Sequence, residues 1–466
     1  MQRAQRWAED EFGAAVLGDA RRTRRLVHLA AEVASRPAGT VTRACASSAS
    51  REGAFRLLEN SAVRQQPIAN CVHGAALGRC HGQSTVFVAV DATSLHITDN
   101  RRDKGIGSIG TVDRGSRGVH AMTALAVNND GLPLGIVGQK FWVREKRSQR
   151  RAGRPQHGGE STFWREVIDD CRTAFARDLP EITPWYQIDR GGDCWQVLTY
   201  AADEGLLMTV RATYDRRLED ARYLWSAVGR TKVRATTVVE VSARMPTWMK
   251  QRIGGRRSMV LAPARRPRKA RLSIRATTVS LRVVTPDGVR QMSFHAVLAR
   301  ESNRTAKDRV EWLLMTTHSI ATRSDVLAVV HGYTMRWRVE DFHRVWKRGL
   351  CNVEDTQLRS REAIYKWATL LGAVATRALR LAHQARLKPD APATSEFSEL
   401  ELDALLQLRP AGFARPPTLS EAVRWLAELG GYTGPWNGPP GATVIGRGLH
   451  DLSVAVRALG NVHKKR

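Results

Sequence analysis

The sequence predicts an α/β protein in which a mixed sheet is flanked by helices, interrupted by a β-rich insertion and extended by helical regions at both ends. Three observations carry this. Short apolar runs bounded by turn residues alternate with helical patterns through the middle of the chain. A stretch from about 230 to 302 is dense in β-branched residues with little helical periodicity. The first 80 or so residues and the tail read as helices alone. The division that follows is a helical segment 1–64, an α/β segment 65–388 carrying the insertion, and a helical segment 389–466.

At the start, Asp19 can cap a helix through Arg21, Arg22, Arg24, Arg25, Leu26, Leu29 and Val33. Its cations crowd the first turns, where the helix dipole does not favour them, and an anionic partner would compensate. A second helix carries Arg51, Phe55, Arg56 and Leu57, and Pro67 starts a third. Val86-Phe87-Val88-Ala89-Val90 reads as a buried strand ending at Asp91. Strands at Val119–Val127 and Leu132–Val143 flank the turn Asn129-Asp130-Gly131. A helix over Ser161–Leu179 precedes a short strand, Trp185–Ile188, that ends at Asp189. Leu206–Arg211 is a further strand.

Within the insertion, Val233–Arg244, Ala270–Val284 and Gln291–Arg300 are β-rich, with Asp287-Gly288 as a turn. The basic run Arg265-Arg266-Pro267-Arg268-Lys269 reads as a solvated tip, or otherwise as a loop that meets phosphate. Trp312–Thr316 is the last apolar strand. One long helix is expected over 324–348, stopped by Gly349, and another over Arg361–Arg386. Pro389 and Pro392 mark a linker, and Thr418 with Glu421 spells a capping box in the tail.

The 466 residues hold 73 Lys and Arg against 45 Asp and Glu, a formal charge of +28. Such an excess points to a polyanion, and nucleic acid is the first candidate. At 42% hydrophobic residues the chain can build a packed core, which excludes a disordered polyelectrolyte. The six cysteines show no C-x-x-C pair and suit a reducing cytoplasm. His73, Cys80 and His81 lie close in sequence but do not make a zinc motif. No apolar run is long enough to span a bilayer, so no membrane partner is expected. Gly105-Ile106-Gly107-Ser108-Ile109-Gly110 spells G-x-G-x-x-G without a following helix, and reads as a loop rather than a nucleotide cradle.

Asp91 and Asp189 each follow an apolar strand, and Glu340 lies on the long helix. Polynucleotidyl transferases of the RNase H type gather two strand acids and a helix acid in this way. Carboxylates suit Mg²⁺, a hard cation that prefers oxygen. Tyr333, Arg336, Glu340 and Lys347 stand at offsets of 0, 3, 7 and 14 residues, with Arg344 close to the same line. At about 100° per residue they fall within roughly 60° of one helix face. Trp337, Phe342 and Trp346 are then expected on the apolar side.

These residues resemble the Y-R-E-K group of the DDE cut-and-paste transposases of bacterial insertion sequences. Tyr333, Arg336, Glu340 and Lys347 match the signature throughout. Asp91-Ala92-Thr93-Ser94-Leu95 resembles the first aspartate motif. Asp189-Arg190-Gly191-Gly192-Asp193 resembles the second, with Gly191 where relatives often carry an acid. Leu17-Gly18-Asp19-Ala20-Arg21-Arg22-Thr23 and Glu52-Gly53-Ala54-Phe55-Arg56 are similar to the N-terminal DNA-binding segment.

The resemblance implies an RNase H-like catalytic domain that cuts transposon ends through a hairpin and joins them to target DNA. It implies metal ligation by Asp91, Asp189 and Glu340, with two Mg²⁺ per site and Mn²⁺ able to substitute. Trp312 would stack on a flipped base, with Tyr333, Arg336, Lys347, Arg211 and Arg344 around it as a phosphate clamp. Arg22, Arg25 and Arg56 would contact the transposon end. The implied partners are double-stranded DNA, both transposon ends and target, and a second copy of the chain when synapsed on DNA. The implied setting is the bacterial cytoplasm, with the protein held at the nucleoid through DNA. Read from the residues alone, Trp312 is a core aromatic on a buried strand.

Overall fold

The computed structural model describes residues 3–110, 115–144, 159–241, 246–253, 256–303, 308–408 and 416–463. The chain forms two compact units, Met1–Pro184 with Met335–Arg466, and Trp185–Thr334.

In chain order the first unit opens with α1 (Arg3–Phe12), α2 (Ala20–Ser35), α3 (Val41–Ala44), α4 (Ser48–Leu58) and α5 (Gln65–Gly78). It continues with β1 (Val86–His96), β2 (Gly107–Ser108), β3 (Arg117–Asn128), β4 (Pro133–Trp142) and α6 (Thr162–Asp178). The second unit contains β5 (Trp185–Ile188), α7 (Trp195–Asp203), β6 (Met208–Arg211), α8 (Leu224–Gly229), β7 (Val233–Val241), β8 (Thr247–Ile253) and β9 (Arg256–Ala262). It then has β10 (Arg268–Thr285), β11 (Gly288–Glu301), β12 (Glu311–Thr316) and α9 (Arg323–Met335). The chain returns to the first unit with α10 (Trp337–Arg344), α11 (Arg361–Leu387), α12 (Glu399–Gln407), α13 (Leu419–Leu429) and α14 (Ala442–His463).

The protein is thus mixed α/β, as its patterning predicts. In the first unit β3 is the central strand: β1 pairs antiparallel on one side, β4 and β2 on the other. Ten consecutive residues of β3 are buried, so helices cover both faces. Gly138 of β4 admits α6, because a Cβ there would stand 2.6 Å from the Cys171 sulfur. The core helix α11 packs on β4 and α5. It also anchors the N-terminal region: the Trp367 indole donates to the Gly39 carbonyl at 2.7 Å, and Lys366 donates to the Asn60 carbonyl at 2.9 Å.

In the second unit β5 and β6 run parallel, and β6, β12, β11, β10 and β7 follow in antiparallel order. The β-rich insertion is therefore present, and it holds one hairpin that the pattern does not reveal, β8 with β9. Their alternation is broken by Lys250, Gln251, Arg252, Arg256 and Arg257.

The caps form where the residues ask for them. Asp19 accepts from the Arg21 amide at 2.8 Å, and Thr418 with Glu421 closes a capping box. Three expectations are corrected. First, β1 does not end at Asp91: pairing with β3 continues to His96 opposite Gly118. The apolar run marks only the buried half of the strand, and pairing outlasts burial. Second, the helix over 324–348 is not uniform. It breaks at Arg336 and finishes as a π-turn, Val345–Gly349. Third, Trp337 is 47% exposed, whereas Phe342 and Trp346 are buried and stacked. The G-x-G-x-x-G segment is not purely loop, since Gly107 and Ser108 form β2. Among the described residues no helix is long and apolar enough to cross a membrane.

Candidate active site

Asp91 sits midway along β1, opposite Thr123 of β3. The five apolar residues before it are buried and fix the strand, while the side chain of Asp91 stays 16% exposed. The α10 helix packs against β1 and β3. Arg336, at its start, is only 5% exposed and lies between two carboxylates. Its guanidinium donates to Glu340 Oε1 at 2.5 Å and comes within 3.9 Å of Asp91 Oδ2. Two acids that are 249 positions apart in sequence thus share one cation.

Two further groups crowd this point. The Lys347 ammonium donates to Thr93 Oγ1 at 3.2 Å, two residues beyond Asp91. His343 Nδ1 is 3.8 Å from Asp91 Oδ2. Burial pulls the His343 pKa down to about 3, helped by the charges of Lys347 and Arg336, so this imidazole is neutral at pH 7. Glu354 accepts the backbone N–H of His96, at the end of β1, at 2.9 Å, and lies 3.6 Å from Lys347. Sequence reasoning names neither His343 nor Glu354. His343 was reachable, seven residues beyond Arg336 on one helix. Glu354 was not, since it reaches the site through a turn after left-handed Asn352 (φ 47°).

The donor set fits a hard divalent cation in its chemistry, since Asp91 and Glu340 both offer carboxylate oxygens beside the hydroxyl of Thr93. Among the described residues, however, no group of three or more His, Cys, Asp or Glu side chains is arranged to hold a metal ion.

Asp189 lies in the second unit, directly after β5, where its carboxylate accepts the Gly191 N–H at 2.7 Å and caps a 3₁₀ turn. Glycine at 191 leaves this turn without a third acid. Asp193 is fully buried and fastens the turn to the segment after β6, accepting the Thr213 amide at 2.7 Å and pairing with Arg216. Trp312 and Tyr333 meet edge to face in the same unit, centroids 5.3 Å apart, and are 8% and 1% exposed. Arg211 donates to the Glu311 carbonyl at 2.9 Å, one residue before Trp312. Arg344 is 72% exposed and pairs with Asp341.

In the N-terminal helices, Arg25 and Arg56 are exposed, and Arg56 pairs with Glu52. Arg22 is partly buried and donates to the Leu17 carbonyl at 2.9 Å, holding the turn that carries the Asp19 cap. Gly53 gives Arg25 its place: a Cβ at 53 would stand 2.6 Å from the Arg25 guanidinium.

Residues 4–63 match the transposase DNA-binding family. The match spans α1 to α4 and contains Arg22, Arg25 and Arg56. It supports a DNA transposase, and hence a DNA-processing protein with DNA as its partner.

Proposed function

We propose that this protein is a DDE-type DNA transposase of the Y-R-E-K group, with an RNase H-like catalytic domain. The observation that carries the reading is the convergence of Asp91 and Glu340 on Arg336, in a chain whose first helices match transposase DNA-binding domains. Asp189 is assigned as the third carboxylate. Together the three would hold two Mg²⁺ ions, or Mn²⁺ in their place, which when bound supply charge to activate an attacking oxygen and stabilise a leaving one.

The side chains have definable tasks in this reading. Arg22, Arg25 and Arg56 bind phosphates of the transposon end, and Arg22 also holds the turn that carries the cap of the helix it shares with Arg25. Lys347 holds a phosphate beside Thr93. Arg336 orients Glu340 and draws its carboxylate toward Asp91. His343, neutral and buried, adds no competing charge. Water cuts one strand and frees a 3′-hydroxyl. That hydroxyl attacks the opposite strand to form a hairpin, and after reopening it attacks target DNA. Trp312 and Tyr333 receive a flipped base at the hairpin stage, with Arg211 and Arg344 at the phosphates around it. The helical tail, 389–466, pairs two copies on DNA.

The test uses a labelled duplex carrying the element's end. Asp91→Ala, Asp189→Ala and Glu340→Ala should each abolish Mg²⁺-dependent cleavage, weaken Mn²⁺ binding followed by paramagnetic relaxation, and leave end binding intact. Cleavage at the wild-type rate by Asp189→Ala would remove Asp189 from the site. A second reading is an end-binding protein that does not cut, and the three acids together with Tyr333, Arg336 and Lys347 count against it. Failure of the wild-type chain to cleave with either metal would select it.

A further inference from the structure

Glu354 belongs to none of the signature motifs, yet its surroundings are unusual. Its side chain is only 8% exposed and carries a carboxylate. Three donors surround it: the His96 backbone N–H at 2.9 Å, Arg348 Nε at 2.6 Å and Lys347 Nζ at 3.6 Å. One of these is the exit of β1, the strand that carries Asp91 and Thr93. The other two are consecutive cations of the π-turn. A buried carboxylate is kept only where its charge is answered, and here the answer comes from Lys347 and Arg348. Lys347 simultaneously donates to Thr93 at 3.2 Å, so Glu354 and Thr93 together fix where the ammonium stands. Arg348 is 77% exposed, and its charge is open to solvent and to an approaching anion.

We propose that Glu354 is a positioning residue that holds Lys347 at the Asp91 edge, with and without DNA, and offsets part of its attraction for a DNA phosphate. The carboxylate keeps the two cations from splaying into water and ties them to β1. A phosphate that reaches Lys347 shares it with Glu354, so part of the binding attraction is offset. The inference rests on the reading of Lys347 as a phosphate-holding residue of a DNA-cutting site.

Glu354→Gln separates positioning from scaffolding, because the amide oxygen can still accept the His96 N–H. The full chain is assayed on a duplex transposon end. The expected result is a split. Loss of the competing charge should tighten end binding about two- to fivefold, the scale of one exposed ion pair. The salt dependence should steepen by about one counterion. The cleavage rate at saturating DNA should fall about tenfold, since Lys347 is no longer held in place. Glu354→Asp should recover part of the rate. In a Lys347→Ala background the same change should leave the rate where Lys347→Ala puts it.

A merely structural role predicts otherwise. Affinity, salt slope and rate would stay at wild-type values in Glu354→Gln, and only Glu354→Ala would lower the melting temperature; that outcome overturns the proposal. Equal loss of affinity and rate in Glu354→Gln would overturn it as well. If the wild-type chain binds and cuts but Glu354→Gln behaves like it, the inference alone falls. If the wild-type chain does not cut, the functional reading falls and takes the inference with it.

Discussion

Asp91 and Asp189 look alike in sequence, each following a short apolar strand, yet their surroundings differ. Asp91 accepts the Ala92 amide at 2.8 Å, but its other oxygen faces a side-chain cation and a neutral imidazole, Arg336 at 3.9 Å and His343 at 3.8 Å. Asp189 is held by backbone, through the Gly191 amide, in a turn that Asp193 locks from beneath. The first acid lies in a charged cluster whose members depend on one another. The second is placed by local chain geometry that would persist without its neighbours' charges. A strand followed by an acid is therefore one sequence pattern with two physical supports.

The largest stability effect bearing on this contrast concerns the second unit. Trp312 is 8% exposed and rests edge-on against Tyr333, so Trp312→Ala should cost about 3–5 kcal/mol, the range for a buried large aromatic. Thermal denaturation gives that cost, and a time course of nicked, hairpin and blunt products gives the rest. If Trp312 also stacks on a flipped base, Trp312→Leu, which keeps the core filled, should still slow the hairpin step by roughly one to two powers of ten. Equal slowing at every step would leave Trp312 as a core aromatic alone.

A smaller difference should separate the two acids' supports. Arg336→Ala takes the 2.5 Å partner from Glu340, which at 40% exposure water still reaches, and empties an interior position, and is expected to cost about 2 kcal/mol. Asp189→Ala loses one cap hydrogen bond and should cost about 1 kcal/mol or less. Urea unfolding of both variants checks the order, and a reversed order would break the comparison.

Legibility followed the same line. The strands of both units, the caps at Asp19 and Thr418 and the insertion were readable because apolar runs and capping residues act locally. The meeting of Asp91 with Arg336 is a consequence of α10 packing on β1, and only the spacing from Tyr333 to Lys347 hinted at it. Trp337 was misplaced because, five residues before Phe342, it falls about 140° around a regular helix from it and on the side of Glu340, so the spacing itself argues against grouping it with Phe342 and Trp346. Glu354 was invisible, since nothing near it in sequence announces a buried carboxylate. The β8–β9 hairpin was missed because its strands are as charged as a loop.

The pH dependence offers a subtler probe of the first unit's cationic interior. His383 on α11 is 8% exposed, and burial, then Arg338 and Arg386, pull its pKa down to about 3. The folded state therefore binds fewer protons than the unfolded chain between about pH 6.5 and 3, and stability falls as pH drops through that window. From pH 7 to pH 5 the loss from this residue should be about 2 kcal/mol. Unfolding midpoints measured across that range should flatten in His383→Leu. An unchanged pH slope would show that His383 protonates freely in the fold.

The π-turn at Val345–Gly349 gives the spacing of the helix motif another meaning. A π-turn is an α-helix that has absorbed one extra residue, and the widened loop of backbone is confined to the place where the insertion fell. Counting from Glu340 to Lys347 therefore spans a regular segment and an irregular one, and the seven-residue step is not a pure helical interval. Were the extra residue removed, whichever residue then fell at the position of Lys347 would be turned by one helical step, about 100°, relative to β1. The motif's last gap is thus a backbone irregularity as much as a spacing, and it delivers the lysine to Thr93.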